Sequence, residues 1–331
     1  MLVFSRKFGR RAKAIRTILG DGAEIARATD LHRTRRGRTL LVELAGATDR
    51  VLLKRCRQPA GSLREVRNLV AINGVAGVNA PRFLGEWQNY FVEEFIAAEP
   101  VSRVLEGSDG ERAARCRDAV VSHLAAIHAA RDAVEKSVEL RAAFVPDRVA
   151  ARLRRCRDRI EGVGFPAYER RVGSVPAAWR RALSDAFLDR LTADVANTGE
   201  SVLGHGEYHG DHLLFAPDDK VYTVDWGTLA LASPWYDFAY PLLITPLAGR
   251  PALVELYLES MHGRGHLRGI SRRRAEELAT SGIAYHQVIA AQRVGNRLKS
   301  RGAAHWGERF RSSLDSLAGH AAFAPRSAGS R

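Results

Sequence analysis

Two acidic residues, each following a short apolar run, are the strongest candidates for chemistry in this chain. They are Glu207 and Asp225. Between them, residues 213–215 and 221–224 have the apolar and β-branched composition of short strands, and residues 217–220 (Pro-Asp-Asp-Lys) have that of a turn. A hairpin here would bring both carboxylates to one edge of a small sheet. Phosphoryl transfer needs such a pair, one carboxylate at the attacking hydroxyl and one on the metal ion that holds the nucleotide.

The segment around these carboxylates resembles the catalytic half of the aminoglycoside phosphotransferase and choline kinase family, whose members are relatives of the protein kinases. That family carries the pattern His-Gly-Asp-x-x-x-x-Asn, then an apolar strand, then Ile-Asp-Trp and a later Asp. Here residues 205–207 read His-Gly-Glu, residues 224–226 read Val-Asp-Trp, and Asp237 takes the place of the later Asp. The resemblance implies that Glu207 and His205 are the catalytic residues, with His205 ordering the loop, and that Asp225 binds the metal ion.

Two positions depart from the family pattern and bear on the chemistry. Glu207 replaces the expected Asp, and because the reference pKa values of the two acids are similar (about 4.3 and 3.9), basicity is kept while the reach changes by one methylene. His212 replaces the expected Asn as a metal ligand, and an imidazole nitrogen suits magnesium poorly. The neighbouring Asp211 could supply an oxygen ligand instead. A His at this place resembles the lipopolysaccharide core heptose kinases, which share the kinase-like fold.

Lys54 and Glu65 are the candidates for holding nucleotide phosphates. Lys54 ends the apolar run 51–54, where a strand-borne ammonium would face the α- and β-phosphates of ATP. Glu65 lies in the helical pattern 63–70 and is the only acidic residue in the stretch 50–85, so it is the one local candidate if Lys54 has an ion-pair partner on a kinase-like helix. An ordinary surface lysine and glutamate are the alternative, and the downstream motif favours the kinase interpretation.

Two further stretches complete the predicted nucleotide site. Residues 34–38 (Thr-Arg-Arg-Gly-Arg) form a loop in which Arg36 and Gly37 could cradle phosphate oxygens, although a solvated turn would have the same composition. Residues 90–96 have the pattern of a strand that leads into a polar segment. The resemblance implies a hinge between two lobes there, where Glu94 and Ile96 would meet the adenine. A plain edge strand is the alternative.

The order of patterns along the chain predicts an α+β fold. Residues 24–98 indicate a small sheet with one helix, and helical periodicity dominates from residue 111 onward, including the stretches 252–261, 272–282 and 285–298. The resemblance implies a bilobal protein-kinase-like fold, with a small N-terminal antiparallel-sheet lobe and a larger, mainly helical C-terminal lobe. The predicted domains are a basic amphipathic segment (1–20), a nucleotide-binding N-lobe (21–97), a catalytic and acceptor-binding C-lobe (98–317) and a disordered tail (318–331).

Composition and charge limit the partners. The 331 residues include 46% hydrophobic residues and carry a formal net charge of +14. This charge favours an anionic partner, and the basic C-terminal half fits an anionic sugar or glycan acceptor better than a cationic aminoglycoside. No nucleic-acid-binding motif is recognised, so no specific nucleic-acid partner is predicted. The basic, amphipathic residues 1–19 indicate either peripheral contact with a membrane surface or packing on the first lobe.

Cysteine usage and hydropathy indicate the compartment. Three widely separated cysteines without a CxxC pair are typical of reduced thiols. Neither an apolar run long enough to span a membrane nor a signal-peptide core is visible. The sequence therefore predicts a cytoplasmic protein, or one that is peripheral at the inner membrane face.

The sequence thus favours an ATP- and Mg²⁺-dependent phosphotransferase that acts on a hydroxyl of a small molecule or saccharide. One alternative is a degenerate kinase-like protein that binds nucleotide or a partner without efficient catalysis, because two motif positions differ. A nucleic-acid-binding protein has only the charge in its favour. A third alternative is a transition-metal site, although its pattern is not the helical HExxH motif. The donors of that site would be His205, Glu207, His209, Asp211 and His212.

Overall fold

The computed structural model of the protein describes residues 9–33, 37–46, 50–59, 63–107, 110–142, 145–196, 200–301 and 304–322. The strands in these ranges are β1 Ile25–Arg33, β2 Gly37–Leu44, β3 Arg50–Cys56, β4 Phe83–Trp87, β5 Tyr90–Glu94, β6 Glu99–Pro100, β7 Val202–Gly204, β8 Leu213–Phe215, β9 Val221–Thr223 and β10 Ala230–Ala232. The α-helices are α1 Gly9–Leu19, α2 Arg64–Asn73, α3 Val101–Glu106, α4 Gly110–Ala129, α5 Arg131–Glu135, α6 Pro146–Arg159, α7 Phe165–Glu169, α8 Ala177–Arg181, α9 Asp185–Ala196, α10 Pro234–Leu243, α11 Arg250–Gly263, α12 Arg272–Arg301 and α13 Ala304–Ala322.

Internal contacts divide the chain into two compact units. The first consists of Met1–Leu140 and Glu207–Leu229, and the second of Arg141–Gly206 and Ala230–Arg331. An antiparallel sheet near the N-terminus is followed by a mostly helical remainder, which confirms the predicted α+β class. The predicted domain boundaries follow the resemblance rather than these contacts, and they stay predictions.

The five-stranded sheet of the first unit places Lys54 on one face. The strand order is β1-β2-β3-β5-β4, and every neighbouring pair is antiparallel. Successive side chains of a strand point to opposite faces. Along β3, Val51 and Leu53 are buried in the hydrophobic core of this sheet. Lys54 therefore lies on the opposite face, together with Leu52.

Helix α1 covers the apolar face of this sheet. Ala14 and Ile15 are completely buried there, and Ile18 and Leu19 pack against the same core. Of the two interpretations of residues 1–19, this arrangement supports packing on the first lobe, because these apolar side chains contact the sheet and are not available to a membrane. Residues 1–8 lie outside the described ranges.

The predicted hairpin between the two candidate carboxylates is present. Strands β8 and β9 pair antiparallel, with Leu213 opposite Thr223 and Phe215 opposite Val221. Strand β6 adds to the other side of β8. Because the hairpin joins the segments that carry Glu207 and Asp225, both residues emerge from the same small sheet.

The second unit is organised around the long helix α12. The sequence predicts separate helices over 272–282 and 285–298, and this is wrong, since one helix runs from Arg272 to Arg301. Gly282 is not a helix end. A Cβ atom there would lie 2.3 Å from the carbonyl oxygen of Trp235, so this glycine allows the close approach of α10 to α12.

Helix α13 corrects the predicted C-terminal tail. It runs to Ala322, so residues 318–322, which the sequence assigns to a disordered tail, are helical. Leu314 and Leu317 are completely buried in the core of the second unit and Ala318 packs against it, which explains why the helix continues. Residues 323–331 lie outside the described ranges.

Candidate active site

Lys54 is held between two carboxylates in the first unit. Its Nζ lies 2.6 Å from Oε1 of Glu65 on α2 and 2.9 Å from Oε1 of Glu93 on β5. Only 15% of the Lys54 side chain and 3% of the Glu93 side chain are exposed. The sequence identifies Glu65 as a partner of Lys54 but does not identify Glu93. The feature of the sequence that could have identified Glu93 is the presence of an acidic residue within the apolar strand pattern 90–94.

The register of the sheet explains the second partner. Leu52 of β3 is paired with Glu93 of β5, and Lys54 is two residues further along the same face. Burial by itself lowers the pKa of Lys54, but the negative charges of Glu93 and Glu65 outweigh burial and raise it. Burial also raises the pKa of Glu93, even beside the ammonium group. Lys54 is therefore a fixed positive charge, which is what a phosphate-binding lysine must be.

A cavity of about 800 Å³ in the first unit is lined by Lys54. Gly37, Glu65 and Asp225 also line it, so three predicted nucleotide or metal residues share one cavity with Lys54. Three arginines add positive charge to its wall. They are Arg38, Arg55 and Arg57. A cavity with this lining suits a polyanion that also carries a metal ion.

The two residues predicted to meet the adenine, Glu94 and Ile96, do not line this cavity. Glu94 is engaged elsewhere, because its Oε2 accepts hydrogen bonds from the backbone and the Nε of Arg82, both at 3.2 Å. The carbonyl oxygen of Ile96 accepts from the backbone of Ala98 at 3.0 Å. Arg36 lies outside the described residues.

Glu207, His212 and Asp225 form a cluster that could hold a cation. One donor atom from each lies within 4.8 Å of the others. His212 Nδ1 lies 3.0 Å from the carbonyl oxygen of Glu207. Since a carbonyl only accepts, Nδ1 carries the proton, and in the neutral ring Nε2 keeps its lone pair. That Nε2 lies 3.8 Å from Oδ2 of Asp225.

This cluster differs from the transition-metal donor set considered from the sequence. It contains Glu207 and His212 of that set and adds Asp225, which that set does not include. The His209 ring contacts the His212 ring at a tilt of 30°, with centroids 4.1 Å apart, and Asp211 is exposed outside the cluster. Two carboxylates and one imidazole are a donor set that fits a divalent cation.

Asp225 has an unusual backbone conformation. Its φ is +63° and its ψ is +65°, the left-handed region that Asp tolerates better than most residues. The turn is fixed from the hairpin side, because the indole Nε1 of Trp226 donates to the carbonyl oxygen of Thr223 at 2.9 Å. Thr223 is itself tied to the buried His123, whose Nδ1 lies 3.3 Å from its hydroxyl.

The second unit contains the first two residues of the His-Gly-Glu motif, His205 and Gly206. The backbone N–H of Gly206 donates to both carboxylate oxygens of Asp237, each at 3.2 Å. Gly206 has a φ of +83°, a conformation that a glycine adopts without strain. His205 is completely buried, which favours the ordering role expected for it. Asp237 therefore anchors the backbone of this loop.

Comparison with known proteins identifies the family. The pattern that defines the phosphotransferase enzyme family matches residues 30–277, about three quarters of the chain. The chain belongs to this phosphotransferase family. No curated protein sequence matches this phosphotransferase.

Solved structures show the same fold. A macrolide 2'-phosphotransferase from Brachybacterium faecium is 18% identical, over 92% of this chain and 97% of that one, with a TM-score of 0.55. A choline kinase from Cryptosporidium parvum Iowa II is 11% identical, over 89% of both chains, with a TM-score of 0.57. A spectinomycin phosphotransferase in complex with ADP and spectinomycin is 13% identical, over 93% of this chain and 98% of that one, with a TM-score of 0.53. At these identities the likeness establishes the protein-kinase-like fold.

In the described part of the chain, no helix of this phosphotransferase is both long and apolar enough to cross a bilayer.

Proposed function

We propose that this phosphotransferase transfers the γ-phosphoryl group of ATP, with Mg²⁺, to a hydroxyl group of a small molecule or saccharide. The observation that carries the proposal is the cavity that Lys54 and Asp225 line together. Glu207 supports it, because its carboxylate belongs to the same donor cluster as Asp225. Binding and charge neutralisation, rather than covalent chemistry, are the main demands of this reaction.

The roles follow from charge and position. Lys54 would bind α- and β-phosphate oxygens, with Glu65 and Glu93 orienting its ammonium group. Asp225 and His212 would hold the cation, which when bound neutralises charge on the phosphates. Glu207 would accept the proton of the acceptor hydroxyl. The hydroxyl oxygen bonds to the γ-phosphorus while the bond from that phosphorus to the bridging oxygen of ADP breaks, and ADP departs. A positioned acid or base typically contributes about 10²–10⁴-fold to the rate.

Thermal unfolding with nucleotide and metal tests the nucleotide part of the proposal. ADP with Mg²⁺, at about a hundredfold excess over its dissociation constant, should stabilise the wild-type protein by about 2.7 kcal/mol. Asp225→Asn should lose most of the part of this stabilisation that depends on Mg²⁺. Asp218→Asn is the matched control, because Asp218 is an exposed residue at the hairpin turn, bonded to Lys220. No shift in folded wild-type protein would contradict the proposal.

A half-buried cation in the second unit supports an anionic acceptor. The guanidinium carbon of Arg152 lies 5.8 Å from the ring centroid of Tyr285. Among the residues described, Arg152 forms no ion pair with a carboxylate. The Tyr285 ring contacts the Tyr236 ring edge to face at 5.7 Å, and the Tyr236 hydroxyl donates to the carbonyl oxygen of Gly206 at 3.2 Å. This charge, without a carboxylate partner, would suit a phosphate or carboxylate group of the acceptor.

A nucleotide-binding protein without efficient transfer is the second candidate. The observation that favours it is the double engagement of Lys54, whose ammonium already has two carboxylate partners within 3 Å. An incoming phosphate would compete with both. Measured turnover with an acceptor separates the two candidates, because Mg²⁺-dependent nucleotide binding is expected of each.

A further inference from the structure

Helix α2 does more than supply Glu65 to Lys54. One turn beyond Glu65, Asn68 is completely buried, and its Nδ2 donates to the carbonyl oxygen of Trp226 at 2.6 Å. Arg64, which precedes Glu65, donates from its guanidinium to the carbonyl oxygen of Leu229 at 2.8 Å. Two side chains of one helix therefore bind the backbone that directly follows Asp225.

The geometry shows how close the helix and this loop are. A Cβ atom at Gly227 would lie 3.5 Å from Oδ1 of Asp225 and 3.9 Å from Cβ of Glu65. The loop thus passes between the residue that pairs with Lys54 and the candidate metal ligand. A displacement of α2 would move both residues, because Glu65 belongs to the helix and the helix is hydrogen-bonded to the loop that follows Asp225.

The amide of Asn68 is poorly explained as a packing residue. Its Oδ1 is buried and makes no hydrogen bond within the described structure. A buried polar atom without a partner is costly, and an apolar side chain of similar size would avoid that cost. The hydrogen bond from Nδ2 to Trp226 is what the amide contributes in return.

We propose that Asn68 is a positioning residue for the metal ligand Asp225. By binding the carbonyl of Trp226, it couples the helix that orients the Lys54 ammonium to the loop that carries the metal-binding carboxylate. The phosphate-binding charge and the cation ligand are thereby kept at a constant separation. Arg64 acts in the same way at Leu229, further along the loop. This inference rests on the proposed nucleotide and Mg²⁺ binding.

The helix provides a matched control. Asn73 lies at the end of α2, where its Nδ2 donates to the carbonyl oxygen of Pro81 at 2.9 Å and its Oδ1 accepts from the backbone of Phe83 at 2.7 Å. Asn73→Leu removes the same kind of side-chain-to-backbone hydrogen bond from the same helix. Its partners lie at the entry to β4 and not in the Asp225 loop.

The test measures ADP affinity by calorimetry, first in EDTA and then with increasing Mg²⁺. Asn68→Leu should leave the affinity in EDTA within about twofold and raise the apparent Mg²⁺ dissociation constant by about 10–100-fold, the range found when residues that orient a metal ligand are changed. Asn73→Leu should change neither value by more than about twofold. Arg64→Met, at a less buried position, keeps the test valid if Asn68→Leu does not fold, and it should weaken Mg²⁺ binding several-fold.

The outcomes distinguish the inference from the proposed function. If wild type binds ADP in an Mg²⁺-dependent way and Asn68→Leu has the Mg²⁺ response of Asn73→Leu, the positioning role is overturned while the proposed function stands. If wild type shows no Mg²⁺ dependence and Asp225→Asn is indistinguishable from it, the proposed function fails and the inference fails with it.

Discussion

The ammonium nitrogen of Lys54 lies 2.9 Å from Oε1 of Glu93, a strand residue whose side chain is 3% exposed. A buried pair of this kind ties the stability of the sheet to the charge of the lysine that we propose binds the nucleotide. Taking away one partner leaves a carboxylate or an ammonium in a place where water cannot solvate it. The residue that would bind phosphate is therefore also a structural residue.

We expect Lys54→Met to destabilise the protein by about 3–5 kcal/mol, the usual cost of removing one partner of a buried pair. In this variant burial still raises the pKa of Glu93, and the ammonium that opposes the rise is gone, so the folded variant favours the protonated acid, whereas the unfolded chain releases that proton above a reference value of about 4.3. Stability then falls as pH rises. Urea unfolding should therefore show that Lys54→Met loses more unfolding free energy at pH 8 than at pH 5. The double variant Lys54→Met with Glu93→Leu should recover part of that loss. An equal loss at both pH values would contradict this assignment.

Glu207→Gln should separate chemistry from binding. The amide keeps the shape of the side chain but cannot accept the proton of an acceptor hydroxyl, so turnover should fall by about 10²-fold or more. Calorimetry should find ADP affinity within a few-fold of wild type, because Asp225 and His212, which would hold the cation, are unchanged. Glu207→Asp, which keeps the charge and shortens the reach, should retain more turnover than the amide. Absence of turnover in wild type and in Glu207→Asp with His212→Asn, with nucleotide binding kept, would identify a nucleotide-binding protein instead.

His212 should set the choice of divalent cation. Its Nδ1–H bond to the Glu207 carbonyl leaves Nε2 as the ligand atom, and a nitrogen ligand favours Mn²⁺ over Mg²⁺ more than an oxygen ligand does. In His212→Asn the ratio of the Mg²⁺ to the Mn²⁺ dissociation constant, measured with ADP present, should decrease. An unchanged ratio would show that His212 is not a ligand. His212→Gln offers a second amide of longer reach for the same comparison.

Arg152 should determine the charge preference for the acceptor. Hydrogen bonds to charged groups contribute about 1.5–3 kcal/mol, so Arg152→Met should weaken binding of an anionic acceptor by about tenfold or more. Arg155→Met is the control, because Arg155 is an exposed residue of the same helix. Glucose 6-phosphate, a lipid-linked glycan and kanamycin can be titrated at two salt concentrations, where binding of the anions should weaken as salt rises. Tightest binding of kanamycin would contradict the anionic acceptor.

The sequence by itself determined the features that depend on neighbouring residues. Apolar runs on either side of a Pro-Asp-Asp-Lys turn specify the β8–β9 hairpin, and the hairpin brings Asp225 and Glu207 together. Glu65 could be assigned to Lys54 because the stretch 50–85 contains no other acidic residue. The alternation of patterns likewise indicated the fold class. Each of these conclusions requires only local propensity or the elimination of alternatives.

Only the tertiary structure decided the features that depend on distant segments. Glu93 reaches Lys54 because β3 and β5 are adjacent in one particular register, and strand register is set by non-local pairing. Gly282 lies inside a helix because Trp235 of another helix approaches it closely, whereas glycine propensity alone indicates a break. Asn68 resembles any polar residue on a helix until the fold buries it against the carbonyl of Trp226. Burial and backbone contact between distant parts of the chain give these residues their roles, and no local pattern records them.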